Sequence, residues 1–264
     1  MKRAVGQNHP YRWPKTTGFY TRGGYLKEDK IWYLTEKIAG CNLSISTEGW
    51  VASRNKIIGE RGMGTLKFQG VSIEEDCLDT LFRNIHKLKD RFKLAGFFEN
   101  VEFELTLYGK LILKGTDSSD ENMCNYRKKN INNGDFICFG IGFAFPVNVQ
   151  LPPTFSNLIS SKQDKGERNL IVPISYYLAR VLKYFDIAHT DIHMIAKLSD
   201  ILHDGKFNNV IIDKELEGYV LYKRYSEGEG LINQLIEVFE ILKLKSNRVV
   251  KKAVPRICFC HKRY

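Results

Sequence analysis

The stretch from Trp32 to Ile45 constrains the fold more than any other part of this chain. An apolar run (Trp32, Tyr33, Leu34) leads to Glu36 and Lys37, Gly40 follows, and Leu43 and Ile45 then alternate with polar residues. Aromatic and β-branched residues in such runs favour extended chain, and a glycine between two runs permits a sharp reversal. The pattern predicts strand, tight turn and strand, with the Lys37 amine at the mouth of a strand-lined cleft. A further strand pair is expected up to Ile58, since Trp50, Val51, Ile57 and Ile58 are strand formers and Thr47-Glu48-Gly49 suits a hairpin turn.

The remaining chain mixes strands with a few helices. Residues 1–30 are rich in Gly, Pro, Tyr and Lys and predict loop with one short strand. Residues 59–70 carry glycines at 59, 62, 64 and 70 and predict a mobile surface loop. From Ile73 to Leu94, Leu78, Leu81, Phe82, Ile85, Leu88 and Phe92 recur at three- and four-residue steps, the signature of an amphipathic helix whose apolar stripe is core. Val101–Leu113 predicts two strand segments separated by Tyr108-Gly109, and Thr116–Asn133 a polar loop. Asp135–Phe145 is apolar throughout and predicts a central strand buried on both faces. Ile174–Phe185 and Asp191–His203 predict two more helices, Gly228–Ile236 a short one, and Val210–Lys223 and Val238–Lys245 two final strands. The sum is a mixed α+β domain with mostly antiparallel sheets and helices on the flanks.

Composition narrows the class. At 264 residues, 43% hydrophobic and 27% charged, the chain is long enough to bury one substantial core. No run of about 18 apolar residues predicts a membrane span. The N-terminus has no apolar h-region, and the cysteines at 41, 77, 124, 138, 258 and 260 have no framework spacing. Reduced thiols in an intracellular compartment are the expectation. The net charge is +10, yet from Lys243 to Tyr264 there are eight Lys/Arg and no acid, so removing those eight leaves +2 for all that precedes. Such a basic end attracts polyanions by counterion release, or is simply a solvated tail.

Several residues could carry chemistry. Lys37 becomes a nucleophile only if desolvation or a neighbouring cation lowers its pKa. Lys243 and Lys245 share one face of a predicted strand, and an Arg54 guanidinium suits planar phosphate recognition. In Leu216-Glu217-Gly218-Tyr219-Val220, a carboxylate followed by glycine suits a metal contact beside a phosphate. Cys258-Phe259-Cys260-His261 offers three soft ligands, but a structural zinc site normally needs a fourth. His189 and His193 lie four apart on a predicted helix with no third ligand nearby, so ordinary core or surface histidines are expected.

The string Glu36-Lys37-Ile38-x-Gly40-x-Asn42-x-Ser44 resembles the nucleotidyl-lysine motif of the RNA ligase 2 family, a branch of the covalent nucleotidyltransferases. The resemblance runs from about Trp32 to Ser246 and implies a nucleotidyltransferase (ATP-grasp-like ligase) domain over residues 1–246, with 247–264 a short basic tail. It implies an ATP-dependent RNA ligase that uses Mg²⁺ and joins 5′-phosphate to 3′-hydroxyl RNA ends through a lysyl-AMP intermediate on Lys37. By the same resemblance Glu36, Lys37, Asn42, Arg54, Glu217, Lys243 and Lys245 contact the nucleotide, Phe139 stacks on adenine, and Glu217 places the metal. Three positions depart from the family pattern. Ala39 replaces a histidine or aspartate, Lys110 stands where an acid holds the ribose, and Gly140 stands where the family has aspartate. Glu102 and Glu104 lie upstream of the acid position. The departures support an alternative, a catalytically impaired pseudo-ligase acting as an RNA-binding or complex subunit. A DNA nick-sealing ligase and a capping-type guanylyltransferase are further alternatives. A separate protein partner could supply an RNA-binding domain.

Overall fold

The computed structural model describes residues 3–13, 17–18, 31–38, 40–94, 101–112, 134–146, 148–149, 167–197, 218–224 and 238–245. Its strands are β1 (Thr17–Gly18), β2 (Ile31–Glu36), β3 (Cys41–Ser46), β4 (Trp50–Ser53), β5 (Ile57–Glu60), β6 (Leu66–Phe68), β7 (Val71–Ile73), β8 (Glu104–Leu111), β9 (Phe136–Pro146), β10 (Glu167–Pro173), β11 (Ile192–Lys197), β12 (Gly218–Arg224) and β13 (Val238–Lys245). Two helices, α1 (Glu75–Leu94) and α2 (Tyr176–Tyr184), are described with them.

A six-stranded sheet runs β10-β9-β8-β3-β4-β5 and a five-stranded sheet runs β1-β13-β12-β2-β11. β6 and β7 form a separate ribbon, and every strand pair is antiparallel except β1 with β13. The chain crosses from one large sheet to the other between β2 and β3, which is where Lys37 sits. β2 is flanked by β12 and β11, and five of its six residues are buried. β3 lies between β8 and β4. The turn joining β2 to β3 is thus held at both ends by central strands.

α1 covers the six-stranded sheet. Leu78, Phe82, Ile85, Leu88 and Phe92 are its buried residues, and the helix packs on β3 and β8. Phe92 meets Phe143 edge-on at 5.3 Å, and Phe103 meets the same ring at 5.6 Å. Glu75 and Asp76 in its first turn and Arg91 and Lys93 in its last complement the helix dipole. α2 starts where Ser175 Oγ accepts a hydrogen bond from the Leu178 amide at 3.1 Å.

The mixed antiparallel architecture, α1, α2, the buried strand β9 and the final strand β13 agree with the sequence. Three expectations are corrected. Residues 192–197 are strand β11, not helix: β11 pairs with β2 with a register shift between Ile192 and Met194. A bulge adds one residue to the alternation, so apolar positions fall at helical spacing on an extended chain. His189 and His193 therefore do not share a helix face. His189 bridges Cys138, and His193 lies on β11. Residues 59–70 are not one loop, since β5 extends through Glu60 and β6 begins at Leu66. Tyr108-Gly109 does not divide the segment into separate strands; it is a register shift inside the continuous strand β8. The expected loop at 116–133, the helix at 228–236, the Cys258–His261 cluster and the basic tail lie outside the described residues.

The N-terminal segment is fastened across the six-stranded sheet. Arg3 forms an ion pair with Glu167 at 2.9 Å and lies 3.6 Å from Glu104, while Tyr11 hydrogen-bonds Glu167. The Tyr108 hydroxyl donates to the Tyr11 carbonyl at 2.6 Å. These contacts deliver Trp13 to the region where the two sheets meet.

Candidate nucleotide site

A cavity of about 150 Å³ lies between the sheets, lined by Trp13, Glu36, Lys37, Ile38, Asn42, Arg54, Lys110, Phe139, Thr190, Val220 and Tyr222. Five of the eight residues singled out in the sequence, Glu36, Lys37, Asn42, Arg54 and Phe139, come together here. They arrive from different places: Glu36 and Lys37 from the end of β2, Asn42 from β3, Arg54 from the turn after β4, and Phe139 from β9. Glu36 is 3% exposed, Lys37 and Asn42 are half-buried, and Arg54 is exposed. Phe139 is only half-buried although residues on both sides of it in β9 are buried, as expected of a ring that faces a cavity rather than the core.

The turn after Lys37 has no slack. Gly40 has φ +136°, and a Cβ there would lie 2.4 Å from the Leu111 carbonyl oxygen, so the turn rests directly on the end of β8. Lys110 Nζ donates to the Gly40 carbonyl at 3.0 Å. Lys110 also stands opposite Asn42 in the β3–β8 register. Its ammonium therefore braces the turn that carries Lys37 as well as lining the cavity.

Gly140 has a different reason to be glycine. A Cβ there would fall 2.4 Å from Trp13 Cη2 and 2.8 Å from the Val172 carbonyl oxygen. The indole of Trp13 lies over that position and meets Phe139 edge-on, with ring centroids 4.7 Å apart and planes at 82°. Trp13 had no distinguishing signal in the loop-like N-terminal sequence. Tyr222 was equally unmarked; Val220 belongs to the Glu217–Val220 string but was not itself singled out. Thr190, just before the helix expected over 191–203, was not singled out either.

Of the remaining sequence candidates, Glu217 lies outside the described residues. Lys243 and Lys245 lie on β13, in register with Val220 and Gly218 of β12. Val220 lines the cavity, so the Lys243 backbone position is adjacent to its wall. Among the described residues no group of three or more His, Cys, Asp or Glu could hold a metal ion. Magnesium is commonly held by one or two carboxylates together with substrate phosphates. Glu36 is the acid among the described residues lining the cavity.

Glu102 and Glu104 do not reach this cavity. They line a second concavity of about 200 Å³ with Arg3, Tyr11 and Glu167. The Glu104 carboxyl accepts from Trp50 Nε1 at 2.8 Å and from Ser46 Oγ, and burial pushes its pKa up. It serves the attachment of the N-terminal segment.

Comparison with known proteins finds similarity only at the level of structure. No family model and no curated protein sequence matches the chain. An unliganded variant of an RNA ligase from Naegleria gruberi superposes with a TM-score of 0.50 at 15% identity, covering 95% of this chain and 60% of that one. Another variant of the same ligase, solved with ATP and Mn, gives a TM-score of 0.51 at 13% identity, covering 94% of this chain and 60% of that one. The chain thus spans about 60% of the length of the ligase structures it matches. Its fold is an RNA ligase fold. No helix among the described residues is long and apolar enough to cross a membrane.

Proposed function

We propose that this chain is an ATP-dependent RNA ligase of the RNA ligase 2 type, with residues 1–246 forming the nucleotidyl-transferring domain. The observation that carries this reading is the convergence of Glu36, Lys37, Asn42, Arg54 and Phe139 on one cavity at the junction of two sheets. Glu36, Lys37 and Asn42 meet because they flank one turn, and the arrival of Arg54 and Phe139 from the end of β4 and from β9 is what makes the set suit one ligand. An aromatic ring, cations and a half-buried lysine match the base, phosphates and electrophilic phosphorus of ATP.

In this reading the Lys37 amine attacks the α-phosphorus. The N–P bond forms, the bond to the bridging oxygen breaks, pyrophosphate leaves and the amine loses its proton. The AMP is then passed to an RNA 5′-phosphate, restoring the lysine, and an RNA 3′-hydroxyl displaces AMP to close the phosphodiester. Arg54, Lys243 and Lys245 neutralise phosphate charge, and Phe139 supports adenine. Asn42 acts when the 5′-phosphate strand is engaged. A divalent cation, Mg²⁺ with Glu217 as its protein ligand, would screen the triphosphate.

The alternative is a pseudo-ligase in an RNA-handling complex, for which Lys110 in place of an acid is the favouring observation. Incubating the protein with α-labelled ATP and Mg²⁺, followed by denaturing electrophoresis, separates the two. The expected result is an acid-labile labelled band that is absent from Lys37→Ala. A label that survives in Lys37→Ala refutes the mechanism, and a folded protein that takes no label while still binding RNA supports the alternative.

A further inference from the structure

We propose that the Thr190 hydroxyl reads the edge of the nucleotide base in this cavity, an inference that deepens, and rests on, the nucleotide-binding reading above. Thr190 is 3% exposed and lines the cavity, yet its Oγ1 has no hydrogen-bond partner among the described residues. Buried polar groups are almost always paired, so an orphaned hydroxyl lining this cavity points to a partner that a ligand supplies.

The hydroxyl is also held in place. The Thr190 amide donates to the Cys138 carbonyl at 2.9 Å, and the Cys138 amide donates to the Ala188 carbonyl at 2.8 Å. The short segment 188–190 is therefore zipped to β9 immediately before Phe139. The cavity's ring and aliphatic surfaces come from Phe139, Trp13, Ile38 and Val220, which suit a flat heterocycle. Lys37, Arg54 and Lys110 suit phosphates. A neutral hydroxyl, able to donate and to accept, suits neither an apolar face nor a polyanion as well as it suits the mixed donor and acceptor edge of a base. Trp13, set edge-on against Phe139, lines the same cavity.

The test is equilibrium binding of ATP and of inorganic tripolyphosphate, which has no base, to the full chain and to Thr190→Val, Thr190→Ser and Thr190→Ala, each checked for an intact thermal transition. Removing one hydrogen bond should weaken ATP binding by Thr190→Val about 3- to 10-fold. Tripolyphosphate binding should be unchanged, and Thr190→Ser should recover most of the loss. Thr190→Ala decides the matter if the valine methyl disturbs packing. Unchanged ATP affinity in the variants, or an equal loss for tripolyphosphate, would overturn the inference. If the wild-type protein then still formed its Lys37 adduct, the nucleotide-binding reading would survive. A wild-type chain that binds no ATP would overturn both.

Discussion

Replacing Gly140 by alanine tests whether Trp13 is what fills the place of a side chain on β9. The new methyl would lie 2.4 Å from Trp13 Cη2, 2.5 Å from Cζ3 and 2.8 Å from the Val172 carbonyl oxygen. β9 cannot retreat, because Gly140 is registered with Tyr108 on one side and Pro173 on the other, and the Phe139 carbonyl accepts from the Ile174 amide at 3.0 Å. Trp13 lies in an irregular segment and is only half-buried, so the indole is the group that moves. Overpacking of this kind costs about 1–3 kcal/mol. Trp13→Ala removes the two shortest ring contacts but leaves Val172. The double variant should therefore be less destabilised than the sum of the single ones by about 1 kcal/mol. Urea unfolding followed by circular dichroism, with unchanged m-values, measures the cycle. Additivity within about 0.5 kcal/mol would refute the argument, because independent sites add to that accuracy.

Two further perturbations probe the frame around the site. His9 is buried against Trp50 and Tyr108, its Nδ1 accepts from the Tyr11 amide at 3.1 Å, and burial, then Arg12 and Arg3, push its pKa down to about 4. The unfolded chain binds this proton near pH 6.5, so the stabilisation is complete above pH 6.5 and is lost as pH falls towards 4. Up to about 3 kcal/mol is involved. A His9→Phe variant should flatten that range of the stability profile, and an unaltered slope would contradict the assignment. Gly40→Ala combines φ +136° with a 2.4 Å approach to the Leu111 carbonyl, so it should cost more than about 1 kcal/mol and reduce the ATP label, because the turn carrying Lys37 must move. Normal melting and normal labelling together would show that the turn is not so constrained.

The strand-turn-strand around Lys37 was legible because its determinants are local: apolar runs end at Glu36 and resume after Gly40. α1 was legible for the same reason, with five buried residues at helical spacing on one face. β11 was misread because a bulge imitates that spacing. Glu36, Lys37 and Asn42 could be named from the string itself, and Arg54 and Phe139 only from the wider family resemblance. Trp13 and Thr190 could not. Trp13 owes its place to the Arg3 and Tyr11 contacts with Glu167, more than 150 residues away, and Thr190 owes its place to backbone pairing with β9. Neither contact leaves a period or a motif in the sequence.

The two departures that favoured an impaired enzyme look different once their neighbours are known. A site released from use accumulates changes independently, and polar groups lost there leave voids or unpaired partners. Here Lys110 is bonded to the backbone of the turn that presents Lys37, and Gly140 is covered by an indole that contacts the very ring expected to carry adenine. Each of these positions has a matching contact on another segment, Lys110 with the Gly40 carbonyl and Gly140 with the Trp13 ring that lines the cavity. The charge reversal at residue 110 adds a third cation to Lys37 and Arg54, with Glu36 as the described acid among the lining residues. Under the proposed reading, three cations at one cavity suit a triphosphate better than two cations facing an added acid. If the proposed nucleotide-binding reading holds, these contacts favour a working pocket over an abandoned one. Lys110→Glu alone would remove the bond to the Gly40 carbonyl, and Gly140→Asp alone would drive a side chain into Trp13.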